Sequence, residues 1–402
     1  MSTITRAVRA AAVAGPALTL AVAAAGCGST AAGTATTARP VSLPLGSSVA
    51  SAGTTWALIP MGVPRGHNLF WQVFALARGG SRWTLATPVD AATNGALALT
   101  VTGTTSATAA VRPSQLLTYS PVISTANGGK TWQPVAPAPG LATVPDAFAA
   151  APGGGQFLAL TRGGRVEQGR SSWTALTSLR GLAAARAARA CAPTGLTAVA
   201  YGLSGQPVVA ARCGHQGVVG IFAGQGGHWS VSGPALPGGA GGAGGPGGPG
   251  GLGGPGGLGG QRAEVVRLVR TGSRLTALLR VGSGAGARLV AGWQASDGRW
   301  TLSAALPGSG AVLSSSLGAG GAVVVELSGR RAEYLAGPGS GAAWQALPRL
   351  PQGRAVTLAL TASGGVDALA AHVTVLTAWR LEGGRWAQTQ TIKVPIQYGS
   401  SS

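Results

Sequence analysis

Residues 261–307 read QRAEVVRLVRTGSRLTALLRVGSGAGARLVAGWQASDGRWTLSAALP. Three apolar or alternating runs, at 263–272, 273–283 and 287–296, each close on Gly or Ser, and a fourth starts at Trp300 after the turn Ser296-Asp297-Gly298-Arg299. Runs of this length rich in Val and Leu and bounded by turn formers read as strands, and connections this short allow only antiparallel neighbours. The stretch therefore predicts a four-stranded antiparallel meander. The same grammar returns at 311–351 and 355–396.

Outward from this unit, seven tryptophans stand at the start of a last strand after a Gly-rich or polar turn: Trp83, Trp132, Trp173, Trp229, Trp300, Trp344 and Trp386. Their steps are 49, 41, 56, 71, 44 and 42 residues, and the step of 71 contains the low-complexity run 238–260. Without those 23 residues it becomes 48. A period of roughly 40–50 residues built from strands and turns is that of a β-propeller. The expectation is an all-β chain with a seven-bladed β-propeller of four-stranded antiparallel blades over 45–398. The run 238–260 is expected to be a disordered excursion between the fourth and fifth blades, since a GGx repeat has almost nothing to bury. The first blade, around 56–87, is the least regular. Closure is expected to pair a segment near 45–51 with the last blade, or the C-terminal strand with the first.

The 402 residues include 69 Gly and only 9% charged residues, yet 45% are hydrophobic, enough for a core. Arg6 and Arg9 precede an apolar stretch at 10–25, and Ala24-Ala25-Gly26-Cys27 follows. This resembles the signal of bacterial lipoproteins. The resemblance implies removal of 1–26, a diacylglyceryl group on Cys27, and a protein held on the extracytoplasmic face of the cell membrane. Residues 27–44, small, polar and Pro-broken, are read as a flexible tether. In that compartment Cys191 and Cys213 can pair across the hairpin centred near residue 202, a structural disulfide worth on the order of 3 kcal/mol.

The stretch Thr125-Ala126-Asn127-Gly128-Gly129-Lys130-Thr131-Trp132 resembles the Asp box of sialidase-type propellers, with Asn127 in place of the Asp. The resemblance implies that Thr125, Asn127, Gly129, Thr131 and Trp132 form a structural turn between the third and fourth strands of a blade. It says little about function, because the box is not a site. Sialidases clamp a carboxylate with three Arg and use a Tyr nucleophile with a Glu partner and an Asp acid/base. Here Leu58-Ile59-Pro60 lacks the Arg of that family's Arg-Ile-Pro signature. Glu333 and Tyr334 are adjacent on a strand and so face oppositely; Tyr334 with Glu326 on the neighbouring strand has no supporting motif. His67, His215, His228 and His372 are scattered without ligand spacing. No catalytic, cofactor-binding or metal residue is assigned, and no cofactor is expected.

Charge is the anomaly: net +20, with 29 basic residues against 9 acidic ones. In a propeller the second-to-third-strand loops and the inter-blade loops share one end. Arg65, Arg112, Arg162, Arg165, Arg212, Arg288, Arg330 and Arg331 fall on or beside the former loops. They form a candidate anion-binding face that can concentrate an anionic partner. The functional expectation is a membrane-anchored binding or scaffold propeller, monomeric, that recognises an anionic glycan, a wall polymer or a protein, and not nucleic acid. The alternatives are a sialidase-like glycoside hydrolase or lyase and an envelope-side assembly factor.

Overall fold

The computed structural model describes residues 47–50, 52–62, 70–88, 97–111, 122–135, 145–170, 172–236, 258–307, 311–318, 320–328, 332–335, 337–339, 342–351 and 355–395. The stretch that opened the sequence reading folds as anticipated. Strands Ala263–Thr271, Arg274–Val281, Arg288–Gln294 and Trp300–Leu302 pair antiparallel in that order. Among the described residues the same four-strand order recurs six more times. The first strands of those meanders are Ser47–Ala50, Leu97–Val101, Ala147–Ala150, Pro193–Tyr201, Val312–Leu317 and Ala355–Leu360. The fold is all-β and propeller-like.

Each meander is apolar on both faces, because each packs between two others. In Arg274–Val281, Leu275, Ala277 and Leu279 pack against Val208 and Ala210 of the fourth meander. Leu278, pointing the other way, packs with Val323 and Val325 of the sixth. A further cluster joins Ile59 and Phe74 of the first meander to Leu369 and Leu376 of the seventh.

Four of the seven marker tryptophans rivet one meander to the one before it, whereas the Trp173 indole N–H is buried without a partner. The indole N–H of Trp132 donates to the carbonyl of Ala86 at 2.9 Å, that of Trp344 to Ala304 at 2.9 Å, and that of Trp386 to Pro348 at 3.3 Å. Trp300 donates likewise to Ser232. Each acceptor lies three or four residues past the preceding marker tryptophan, so the sequence period is also a bonding period. Trp83 departs from the rule. Its indole donates to Oδ2 of Asp367 in the seventh meander at 3.0 Å. Arg380 Nε and Nη2 donate to the two oxygens of that fully buried carboxylate at 2.9 and 3.1 Å. The backbone N–H of Trp83 donates to Gln390 Oε1 at 2.8 Å, and Gln390 Nε2 donates back to the Trp83 carbonyl at 3.1 Å.

Two sequence expectations change here. Strand Ser47–Ala50 pairs neither with the last meander nor with the C-terminal strand. It runs antiparallel to Thr54–Met61 of its own meander and parallel to Val312–Leu317 of the sixth, with Ser47 opposite Ser315 and Val49 opposite Leu317. The seventh meander's first strand is thereby set behind this pair, and its backbone needs other partners. The N–H groups of Leu358, Leu360 and Ala362 donate to the hydroxyls of Ser314, Ser316 and Thr55 at 2.8, 3.0 and 2.7 Å. Side-chain hydroxyls thus do the work of a neighbouring strand. The second change is at the end of the Gly-rich run. Leu258 is buried with Leu236 in the core between the fourth and fifth meanders, because it is the run's last large apolar side chain and a hydrophobic gap receives it. Residues 238–257 of the run lie outside the described residues.

Candidate functional site

A β-bulge decides which side chain reaches the cavity that the first strands line. In the fifth meander Val265 pairs with Leu279 and Arg267 with Leu278, so Val266 is an extra residue. Simple alternation from Ala263 and Val265 would send Arg267 into the core shared with the fourth meander. The extra residue puts Leu268 there instead, and Arg267 borders an axial cavity. The fourth meander repeats the device: Leu196 pairs with Ala211 and Ala198 with Ala210, which leaves Thr197 extra and bordering the same cavity. Re-aiming one side chain is what a bulge does in a sheet.

The cavity holds about 440 Å³, within the roughly 300–1,000 Å³ range of small-molecule sites. The first strands of six meanders line it, through Val49, Leu99, Ala149, Val199, Arg267 and Leu317 among others. Hairpin residues Gly103, Gly153 and Gly272 border it at one end, the end of the first-to-second-strand turns. Among the described residues, the charged ones on its wall are Asp146, Arg267 and Arg270. Arg270 is committed: its Nη1 donates to the Gly202 carbonyl at 2.6 Å and its Nε to that of Gly272 at 3.3 Å. Burial pushes the Tyr201 phenol up, so this cavity-lining hydroxyl stays neutral, and it accepts from Gln168 Nε2 at 3.3 Å.

Arg267 is different. Its guanidinium makes no hydrogen bond or ion pair among the described residues, and its Nη1 is buried without an acceptor. The Thr197 hydroxyl is also buried without a partner. Burial draws Arg267 down to about 10, which leaves it charged at neutral pH. At about 1.4 kcal/mol per tenfold change in proton affinity, holding that charge costs the fold on the order of 3 kcal/mol. A buried charge is ordinarily paired. This one offers its donors to whatever occupies the cavity.

The residues singled out from sequence fall elsewhere. Cys27, Arg65, Arg112, Arg330 and Arg331 lie outside the described residues. Arg162, Arg165, Arg212 and Arg288 do sit on or beside second-to-third-strand loops, at the end of the meanders away from the hairpin glycines. Arg212 is engaged by Glu264, and Arg165 Nε lies 3.9 Å from Glu167, so two of the four already face an acid. Arg162 and Arg288 make no ion pair among the described residues. Cys191 and Cys213 form a buried disulfide that ties the lead-in of the fourth meander to the end of its second strand.

The turn at 125–132 is a structural knot. The Thr125 hydroxyl accepts from Gly129 N–H at 3.0 Å, Asn127 Oδ1 accepts from Thr131 N–H at 3.0 Å, and Asn127 Nδ2 donates to the Thr131 hydroxyl at 2.8 Å. The amide thus holds the turn as the expected acid would, with Nδ2 donating to the Thr131 hydroxyl where a carboxylate oxygen would accept from it. Gly129 has φ +84°, and a Cβ there would lie 2.5 Å from the Cβ of Ala86, so only glycine fits. Trp132 packs edge-on to Trp56, with ring centres 6.1 Å apart. Glu326 and Tyr334 are not joined by a hydrogen bond: Tyr334 is opposite Val324, two residues from Glu326. Among the described residues no group of three His, Cys, Asp or Glu could hold a metal ion.

No protein-family model matches the sequence, and no curated protein is similar to it. Solved structures do align. A GH74 xyloglucanase from Xanthomonas campestris gives a TM-score of 0.46 and 12% identity over 85% of this chain and 53% of its own. TolB from Acinetobacter baumannii gives 0.38 and 10% over 83% and 62%. The acylaminoacyl peptidase of Pyrococcus horikoshii gives 0.44 and 7% over 87% and 52%. The chain spans 52 to 62% of the length of these three structures.

Proposed function

We propose that this chain is a closed seven-bladed propeller, lipid-anchored through Cys27 on the extracytoplasmic face, that binds an anionic ligand at its axis rather than transforming it. The observation that carries the reading is Arg267: a charged, unpartnered guanidinium on the wall of a ligand-sized cavity. Support for closure comes from the Trp83–Asp367–Arg380 network and the core shared by the first and seventh meanders. A carboxylate or phosphate placed against Arg267 gains charge-assisted hydrogen bonds where little water competes. The test is thermal stability of the purified protein with small organic anions at low ionic strength. Ligands of the axial site raise the melting temperature of the wild type and not of Arg267→Met; a shift unchanged in the variant, or no shift with any anion, sinks the reading.

A second reading keeps the loop arginines, because Arg162 and Arg288 share one end without acid partners. There the partner is an extended envelope polyanion, attracted through exposed charge and released as salt screens it. Charge reversal of Arg162 and Arg288 then weakens retention on a polyanion column, whereas Arg267→Met leaves retention unchanged.

A further inference from the structure

We infer that the axial cavity takes the head and body of an amphipathic monocarboxylate, with the carboxylate against Arg267 and Thr197 and an apolar body along the inner strands. This rests on the axial-binding reading above and names its ligand class. The charge comes first. Among the described residues the wall carries two guanidiniums and one carboxylate, Arg270 is spent on two backbone carbonyls, and the surplus is a single positive charge. One negative charge neutralises it; a second would be buried without a counterpart, at high cost.

Donor geometry is the next constraint. The two bulges bring a planar fork of N–H donors and a single hydroxyl to neighbouring first strands, Ala263–Thr271 and Pro193–Tyr201. A guanidinium fork matches the two oxygens of a carboxylate, and Thr197 supplies one further donor. Most of the rest of the wall is apolar, with Val49, Leu99, Ala149, Val199 and Leu317 among its residues, and Thr100, Thr102, Thr104 and Tyr201 are the other hydroxyl-bearing residues that border it. A polyhydroxylated ligand such as a sugar acid would set more hydroxyls against the apolar part of the wall than these few side chains can answer, each unpaired hydroxyl costing affinity. An acyl or aryl body loses nothing there and gains by leaving water.

The experiment measures the melting temperature of the full-length protein and of Arg267→Met and Thr197→Val. The probes are acetate, decanoate, methyl decanoate, glucuronate and inorganic phosphate, with decanoate kept below its micellar concentration. Decanoate is expected to stabilise the wild type well beyond acetate, with methyl decanoate inactive. Affinity should fall roughly 10- to 100-fold in Arg267→Met, the worth of a charged hydrogen-bonded contact, and by a smaller factor in Thr197→Val. Without ligand, Arg267→Met should itself melt higher than the wild type, because it removes an unpaired buried charge. Arg267-dependent stabilisation by glucuronate or phosphate but not decanoate would keep the axial anion site and overturn the ligand class. Decanoate acting equally on Arg267→Met would also overturn it. Silence of all five probes would overturn the class and the axial reading together.

Discussion

The two sides of the axis solve one problem in opposite ways. Around the first, sixth and seventh meanders, Ser47–Ala50 pairs with Val312–Leu317, and Ser314, Ser316 and Thr55 cap the amides of the strand behind them, although the Ser315 and Thr357 hydroxyls stay buried without a partner. Around the fourth and fifth, bulges turn Thr197 and Arg267 toward open space and leave them without partners. The lesson concerns polar groups. Where hydroxyls and backbone amides answer each other, the axis is a structural joint. Where they do not, it has room and donors for a ligand.

The first side can be broken most severely at Asp367. Asp367→Ala removes the acceptor of the Trp83 indole and leaves Arg380 partly buried without its counter-charge. Denaturant unfolding should show a loss of about 3–5 kcal/mol, the usual cost of orphaning a buried pair member. A smaller break is Thr55→Val, which preserves shape but deprives the Ala362 amide of its acceptor, or Ser316→Ala, which does the same for Leu360. Each is expected to cost about 1–3 kcal/mol in the same measurement, and no ligand should rescue it.

The contrast with Arg267→Met, expected to stabilise, is sharp: Asp367, Thr55 and Ser316 hold the fold through the bonds they make, and Arg267 makes none. The mildest effect belongs to Glu326, whose strand neighbour Val324 packs toward the seventh meander. Burial pushes this carboxyl up to about 7. An unfolded chain ionises at about 4.3, so between about pH 4 and 7 the native state holds a proton that the unfolded state has released. Stability should therefore fall as pH rises through that window and level off above it. Glu326→Gln should flatten the profile and add about 1–2 kcal/mol at pH 8, after allowing for partial solvent screening.

Much of the frame was legible because it is periodic. The tryptophan spacing reflects a bond that recurs, indole to a carbonyl just past the previous marker. The turn at 125–132 carried its chemistry in its letters, since Thr125, Asn127 and Thr131 are the residues that knot it. Cys191 and Cys213 flanked a visible hairpin. What alternation could not reveal was a change of phase. Nothing in AEVVRLVR marks Val266 as the extra residue, and without the bulge Arg267 reads as one more strand arginine. The basic residues chosen from loops were conspicuous by position, yet Arg212 meets Glu264, 52 residues further on, a pairing that only the packing of two meanders creates. The bond between Trp83 and Asp367 was hidden for the same reason.

That bond has a consequence for how the chain is made. Trp83 and Asp367 stand 284 residues apart, and strand Ser47–Ala50 finds its parallel neighbour only in the sixth meander. Contacts so distant in sequence form late, after the entropy of closing a very long loop has been met, and they slow folding. During synthesis the first meander waits with an open edge and an uncovered apolar face until the last quarter of the chain emerges. Truncation near the C-terminus should therefore be felt first at the N-terminal meander, the region longest made and last completed.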